Sequence, residues 1–295
     1  MDLGIITGYI RRPHEECARR AAAHGLKVAQ VDFKFPDMPG PAEATAADCR
    51  RIRAAFSRHG IGFVAVSGHA NLVAPDPAKR KANAAKLRNV IALANELGTD
   101  CVVTETGTRH PEDDWAYHPD TDKPGVYEAF RDAIGGMAEE ARKAGVRLAL
   151  EGGVGNVIDT PAKAARVFAE VGSPALAMVM DPANFLDAGN LDRQHDVIDA
   201  LFHPAIAGRV AVAHAKDTRR IGPDGVRVEN HANLGIPDPR CEYPAAGQGE
   251  IDFDRFLGLL VRHAPDVALL IEHMAEDDVP RAKRFVEGKL AAVQA

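Results

Sequence analysis

The sequence predicts an α/β chain closed into a (β/α)8 TIM barrel, a single domain over residues 1–295. Three observations predict it. Short apolar runs alternate with longer amphipathic stretches eight times along the chain, the order of strand and helix in repeated βα units. The runs are apolar almost throughout, as strands buried on both faces of a parallel sheet must be. Four runs in the second half end in an ionisable residue: VRLALE in Glu151, ALAMVMD in Asp181, RVAVAH in His214 and VALLIE in Glu272. In a barrel every strand ends on one face, so these four become neighbours despite their separation in sequence. A doubly wound dinucleotide fold is the weaker fit, because neither EGGVG nor AAGQG has the GxGxxG spacing in a helix-opening context.

The elements follow in order. LGIITGY (3–9) reads as the first strand, and a helix from His14 to His24 stops at Gly25, a residue able to take the left-handed conformation that ends helices. KVAQVDF (27–33) is strand two, followed across FPDMPGP by a helix from Thr45 to His59. IGFVAVSGH (61–69) is strand three, and Lys79 to Leu97 carries Leu87, Ile91 and Ala94 at the spacing of an apolar stripe. DCVVTETG (100–107) is strand four, and the loop TRHPEDDWAYHPDTDKPG after it has the length at which loops are often functional. Val126 to Lys143 is helical, VRLALE is strand five, and Thr160 caps a helix running from Pro161 to Val171. ALAMVMD, a helix over Asp196 to Ile206, and RVAVAH come next. RRIGPDGVRV reads as a hairpin turning at Pro223-Asp224-Gly225, inside an irregular stretch from Asp217 to Gly249. Helix Ile251 to His263, strand VALLIE and helix Asp277 to Val293 complete the eight units.

Composition narrows the function classes. Hydrophobic residues make up 46% and charged residues 26% of the chain, a globular balance that excludes extended disorder. No apolar run approaches the roughly 20 residues needed to cross a bilayer, so no membrane partner is expected. The opening MDLGIITGYIRRP places Asp2 where a signal peptide would be basic, and reads instead as the first strand. Cys17, Cys49, Cys101 and Cys241 lie far apart with no CxxC pair, which argues against a disulfide framework or zinc ribbon and fits a cytoplasmic protein. A formal charge of −6 supplies no electrostatic reason to bind nucleic acid.

For any one of the four strand-end residues alone, a polar group bonded to backbone is the plainer reading. Together they favour a metal, because three carboxylates converging on one barrel mouth repel unless a cation sits among them. With one imidazole they form a hard, oxygen-rich donor set suited to a divalent metal, Mn²⁺ first, with Mg²⁺, Co²⁺ and Zn²⁺ also admitted.

These residues carry a family resemblance. In LALEGGVGN, MDPAN, AHAKD, AGQGEIDFDRFL and LLIEH, taken in that order, the chain resembles the xylose isomerase-like TIM barrels grouped as sugar phosphate isomerases/epimerases. That group includes ketose 3-epimerases, inosose dehydratases and endonuclease IV. The resemblance covers essentially the whole chain. It implies a metal held by Glu151, Asp181, His214 and Glu272, with Glu151 and Glu272 also serving as the catalytic acid and base. It implies a small-molecule sugar as partner and a homo-oligomer, a dimer or tetramer. One departure stands out: the epimerases carry a substrate-binding His three residues after the metal Asp, where this chain has Asn184. Endonuclease IV uses a His there for zinc, so its replacement weakens a trinuclear site, although His69 and His110 occupy positions of further zinc ligands in that enzyme.

Further candidates surround the four. His69, in SGHAN, reads either as a substrate contact or as a satisfied loop histidine. Asn184 stands as a substrate-binding candidate. Asp217, in HAKD, would orient the imidazole of His214 or bind substrate, or else cap a turn. Arg220 would take a sugar hydroxyl or phosphate, or else be a solvated surface cation. Trp115 and Tyr117 would wall a sugar ring or simply pack the long loop. The expected activity is a metal-dependent isomerase or epimerase acting on a small keto-sugar or polyol derivative through an enediolate. An inosose-type dehydratase and, further off, an endonuclease IV-like zinc phosphodiesterase are the alternatives.

Overall fold

The computed structural model describes residues 1–222 and 238–294. Its strands are β1 (Leu3–Ile6), β2 (Val28–Val31), β3 (Gly62–Ser67), β4 (Cys101–Glu105), β5 (Arg147–Glu151), β6 (Leu176–Met180) and β7 (Val210–Ala215), then the short β8 (Arg219–Arg220) and β9 (Cys241–Glu242), and β10 (Leu269–Ile271). Strands β1 to β7 and β10 form a closed parallel barrel, β10 pairing with both β7 and β1. Outside it, β8 and β9 pair antiparallel, Arg219 opposite Glu242. The hairpin expected at Pro223, Asp224 and Gly225 lies outside the described residues.

The helices are α1 (His14–Ala23), α2 (Ala46–Arg58), α3 (Pro77–Leu97), α4 (Val126–Ala144), α5 (Pro161–Val171), α6 (Gln194–Leu201), α7 (Pro204–Ala207), α8 (Phe253–His263) and α9 (Val279–Gln294). Their starts show local chemistry at work: Thr45, Asp76, Thr160 and Asp252 each accept a backbone N–H from the first turn. Among the described residues, no helix is long and apolar enough to cross a membrane.

Two expected elements differ from what forms. The first strand ends at Ile6 and gives way to a 3₁₀ turn over Thr7–Tyr9. The Thr7 hydroxyl donates to the Asp32 carbonyl and accepts from the Asp32 N–H, tying the chain across the end of β2. Gly8 permits this closeness, since a Cβ there would lie 2.3 Å from Asp32 Oδ2. The helix expected over Asp196 to Ile206 is broken between α6 and α7. Pro204 has no N–H to continue the ladder and disfavours helical geometry at His203, whose Nδ1 instead caps the next turn at Ala205.

Side-chain alternation along each strand sorts the interior from the helix-facing layer. Leu148, Leu150, Leu176 and Met178 pack in one apolar cluster with helix residues such as Ile134, Met137, Val167 and Phe168. The other face, including Ile6, Val28, Ala65, Val103, Ala149, Val179, Val212 and Leu270, forms a second cluster that fills the barrel. Two residues beyond Ala149, Val179, Val212 and Leu270 on that same inner face stand Glu151, Asp181, His214 and Glu272. The barrel floor therefore aims them inward.

Candidate active site

The four strand-end residues meet above that apolar floor. Each offers one ligand atom, and these atoms all lie within 4.8 Å of one another. All four side chains are buried. His214 Nδ1 is 3.7 Å from Glu151 Oε1, 3.7 Å from Glu272 Oε1 and 4.0 Å from Asp181 Oδ2. On its other edge, Nε2 faces Gln30 Oε1 at 3.3 Å. Gln30 in turn donates from Nε2 to Ser67 Oγ at 3.0 Å, which fixes its amide so that the oxygen points at the imidazole. With Nε2 donating to Gln30, Nδ1 is left facing the carboxylates, where it would hold a proton in the metal-free protein or offer its lone pair to a cation.

His214 Nδ1, Asp181 Oδ2 and Glu272 Oε1 are buried and make no hydrogen bond within the protein. Buried polar atoms are rarely left so, and three of them converging from different strands match the donor set of a divalent cation. The residues therefore fit a metal. Among the described residues this is the group of His, Cys, Asp and Glu side chains placed to hold one. His110 stands apart from it: its Nδ1 accepts the backbone N–H of Asp113 at 3.0 Å and so caps its own loop.

The electrostatics describe a crowded charge cluster. Burial opposes the negative charge on Glu151, but His214, His69 and Lys216 hold its carboxyl well below the usual range. Burial likewise opposes ionisation of Glu272, and Lys216, His214 and His273 outweigh it. For Asp181 burial prevails, offset in part by Lys216 and reinforced by Glu272, and its carboxyl is pushed up to about 8. Burial works against the His214 cation, yet Glu272, Glu151 and Asp181 raise it to about 9. In the metal-free protein, two ionised glutamates are thus balanced by Lys216 and a protonated His214, and Asp181 keeps its proton.

Lys216 was not singled out in the sequence, and it lies at the centre of the site. Its Nζ is 3.5 Å from Glu272 Oε1 and 3.8 Å from Asp181 Oδ2, donates to Asn184 Oδ1 at 2.5 Å, and sits 4.1 Å from the centroid of the Tyr243 ring. Burial disfavours its charge, but Glu272 and the other nearby acids raise its basicity overall. The only sequence signal was its position in HAKD, two residues beyond a candidate ligand.

Above the cluster opens a cavity of about 160 Å³. Glu151, Glu272 and Lys216 form part of its lining, Ser67, His69 and Trp115 another part, and Tyr9, Arg11, Asp32, Lys34 and His273 its rim. His69 stands edge-on to Trp115, their rings 5.5 Å apart, with Nδ1 3.3 Å from Glu105 Oε2 and Nε2 3.8 Å from Glu151 Oε2. His273 adopts φ 53°, uncommon for a residue with a side chain, and its ring lies between those of Tyr9 and Tyr243. The loop bearing Trp115 is tied down by Asn71, which donates to Asp114 Oδ1 at 2.9 Å, and by Lys79, also 2.9 Å from that atom.

Three expected substrate contacts are placed otherwise. Asn184 is buried and outside the cavity lining, donating to Glu151 Oε1 at 3.0 Å while accepting from Lys216. Asp217 does not touch His214: its carboxylate accepts the backbone N–H groups of Gly247, Gly249, Ile251 and Thr218 at 2.8 to 3.2 Å. That explains AGQGE, for a Cβ on Gly249 would lie 2.1 Å from Asp217 Oδ1. Arg220 pairs with Asp192 and is not part of the cavity lining. Tyr117 lies exposed and bonds Asp122, away from the lining that Trp115 joins.

A closed parallel barrel whose strand ends carry a buried carboxylate–imidazole cluster fit for a divalent cation defines the class of protein. The sequence model of the xylose isomerase-like TIM barrel family matches residues 18–290, and the chain belongs to that family. A sequence search of curated proteins finds no match. Among solved structures, the chain is similar to an L-ribulose 3-epimerase at 17% identity and TM-score 0.72, covering 99% of this chain and 95% of that one. It is similar to an IolI protein with a bound zinc atom at 17% identity and TM-score 0.71, covering 99% of each chain. A xylose isomerase-like TIM barrel protein from Mycobacterium smegmatis in complex with magnesium aligns at 16% identity and TM-score 0.67, over 95% of this chain and 89% of that one. At such identities the likeness concerns the fold.

Proposed function

We propose that the protein is a metal-dependent isomerase or epimerase of a small keto-sugar or polyol derivative, working through an enediolate with Glu151 and Glu272 as acid and base. One observation carries this reading. Of the four clustered side chains, the two glutamates line the cavity, whereas Asp181 and His214 do not. Glu151, Asp181, His214 and Glu272 would hold the cation, Mn²⁺ first among those the donors suit. When bound it would supply Lewis acidity at the cavity floor. The epimerase among the similar structures and the metals in two of them are consistent with this assignment.

In this reading one glutamate takes the proton from the carbon beside the carbonyl, and the C–H electron pair becomes the double bond of the enediolate. The other glutamate returns a proton from its own side. Return to the opposite face of the same carbon gives epimerisation, and return to the neighbouring carbon gives isomerisation. His69 and Trp115 wall the sugar on one side, while Asp32, Lys34 and Arg11 offer polar partners for hydroxyls at the rim. A cavity of about 160 Å³ suits one small molecule of sugar size.

The test is turnover of Mn²⁺-loaded protein against a panel of ketopentoses, ketohexoses, their phosphates and inososes, followed by NMR in D₂O. The expected product carries solvent deuterium at the carbon that changes configuration or oxidation level. Turnover with no deuterium at any sugar carbon would overturn the enediolate route, and loss of water from an inosose would move the assignment to a dehydratase.

A further inference from the structure

Lys216 is a buried ammonium whose position the metal cluster alone does not explain. It adds a fixed positive charge next to a site that collects cations, and desolvating an ammonium is costly unless its surroundings compensate. They do so in an unusual way. An ammonium has three N–H donors. One reaches Asn184 Oδ1 at 2.5 Å, and the Tyr243 ring face lies on another side at 4.1 Å. The carboxylates of Glu272 and Asp181, at 3.5 and 3.8 Å, lie at ion-pair distance, beyond a short hydrogen bond. Lys216 also lines the cavity next to both glutamates. The cation is therefore held by Asn184 and the Tyr243 ring while part of it lines the cavity where substrate would sit.

We propose that Lys216 is a further catalytic residue, its ammonium donating a hydrogen bond to the substrate oxygen that becomes negative as the adjacent C–H bond breaks. This rests on the enediolate reading above. The carbon-bound proton passes to a glutamate carboxylate, the C–H pair forms the carbon–carbon double bond, and the carbonyl π pair moves onto oxygen. Lys216 keeps its own proton throughout. A donor held in place before the reaction stabilises developing charge without reorganising, which is the usual source of large rate effects in water-poor sites. Asn184 is a positioning residue in this scheme, since its amide holds Glu151 through Nδ2 and Lys216 through Oδ1.

The same placement has a second consequence. An ammonium 3.5 to 3.8 Å from two of the metal-fit carboxylates repels a dication, so removing it should tighten metal binding. That effect follows from the charge alone, so it is the affinity for an enediolate mimic that separates a catalytic lysine from one that only supports the fold.

The experiment compares the full-length parent with Lys216→Met and Lys216→Arg. Mn²⁺ affinity is read by chelator competition, and the affinity of the Mn²⁺-loaded protein for glycolohydroxamate, a planar mimic of an enediolate, by calorimetry. Lys216→Met should bind Mn²⁺ about tenfold more tightly and glycolohydroxamate about a hundredfold more weakly, with an unchanged circular dichroism spectrum. Lys216→Arg, which retains the charge, should keep Mn²⁺ affinity within about threefold of the parent and lose hydroxamate affinity through altered geometry; it decides the matter if the methionine variant does not fold. Unchanged hydroxamate affinity in either variant, or a parent that does not bind the probe, overturns the proposal. Both shifts in a protein that turns over no sugar of the panel would keep the role of Lys216 and remove the sugar assignment.

Discussion

The two halves of the barrel end in different chemistry. On β5, β6, β7 and β10 the inner face finishes in Glu151, Asp181, His214 and Glu272, several of whose polar atoms have no partner within the protein. On β2, β3 and β4 it finishes in Gln30, Ser67 and Glu105: Gln30 bonds Ser67 and faces His214 across the barrel, and Glu105 Oε2 lies at ion-pair distance from His69 Nδ1. Gln30 reaches from β2 to His214 on β7, and Glu105 backs His69 at the cavity wall. In the proposed function one half would supply the metal ligands and the other would hold and shape them. Both rest on the same apolar floor, so the division is made in the last residue of each strand.

The strongest way to break this comparison is to remove the two proposed bases, Glu151 and Glu272. Glu151→Gln and Glu272→Gln keep an oxygen able to reach the metal but lose the ability to accept a carbon-bound proton near neutral pH. Each should lose turnover by roughly two to four orders of magnitude while retaining part of its metal. Steady-state kinetics and elemental analysis check this, and near-normal turnover in both would discard the two-glutamate mechanism.

Asp217 sharpens the comparison from outside the site. If it serves the backbone of residues 247–251 and not the imidazole, Asp217→Ala should lower stability by about 3 kcal/mol, the order expected when buried N–H donors lose their acceptor. The metal affinity of the folded fraction should hardly change. Urea denaturation and Mn²⁺ titration separate the two effects, and a large loss of metal affinity at normal stability would return Asp217 to a role beside His214.

The supporting half is tested at Gln30. Gln30→Leu removes the acceptor that orients His214 without touching a ligand, and metal affinity should fall by about 10- to 100-fold. Affinity equal to the parent's would mean that packing alone orients the imidazole.

The smallest effect is a proton count. In the metal-free protein Asp181 titrates near 8 and His214 near 9, so at pH 7 both carry the protons that a dication displaces. Binding of Mn²⁺ at pH 7 should release about two protons, and the release should vanish as pH rises beyond both values. Calorimetry in buffers of different ionisation enthalpy measures it. The raised values also set the sign for stability: the folded metal-free chain holds protons that the unfolded chain gives up at lower pH. Its stability from these two groups is present at acidic pH and falls as pH rises through about 8 and 9. Thermal melts of metal-free protein from pH 6 to pH 10 should fall along that course, and Mn²⁺ should flatten it.

The sequence by itself determined the barrel and the convergence of Glu151, Asp181, His214 and Glu272. Strand patterning is local, and in a parallel barrel the identity of a strand's last inward residue follows from counting by twos from its apolar core. It also determined the helix start at Thr160, which acts on backbone within its own turn, whereas the caps at Asp76 and Asp252 displace the expected starts at Lys79 and Ile251 to Pro77 and Phe253. Only the tertiary structure decided what the loop residues do. Asp217 is three residues from His214 in sequence, yet its partners are amides some thirty residues onward. Arg220, a candidate substrate contact in the sequence, is held by Asp192, whereas Lys216, which the sequence does not single out, is buried beside Glu272 and Asp181. Gln30, a neutral residue of β2 that the sequence does not single out, proves to face the imidazole across the barrel. The physical reason is the same in each case: beyond the strand ends no repeating geometry directs a side chain, and its partner is whichever group the closed barrel brings within reach.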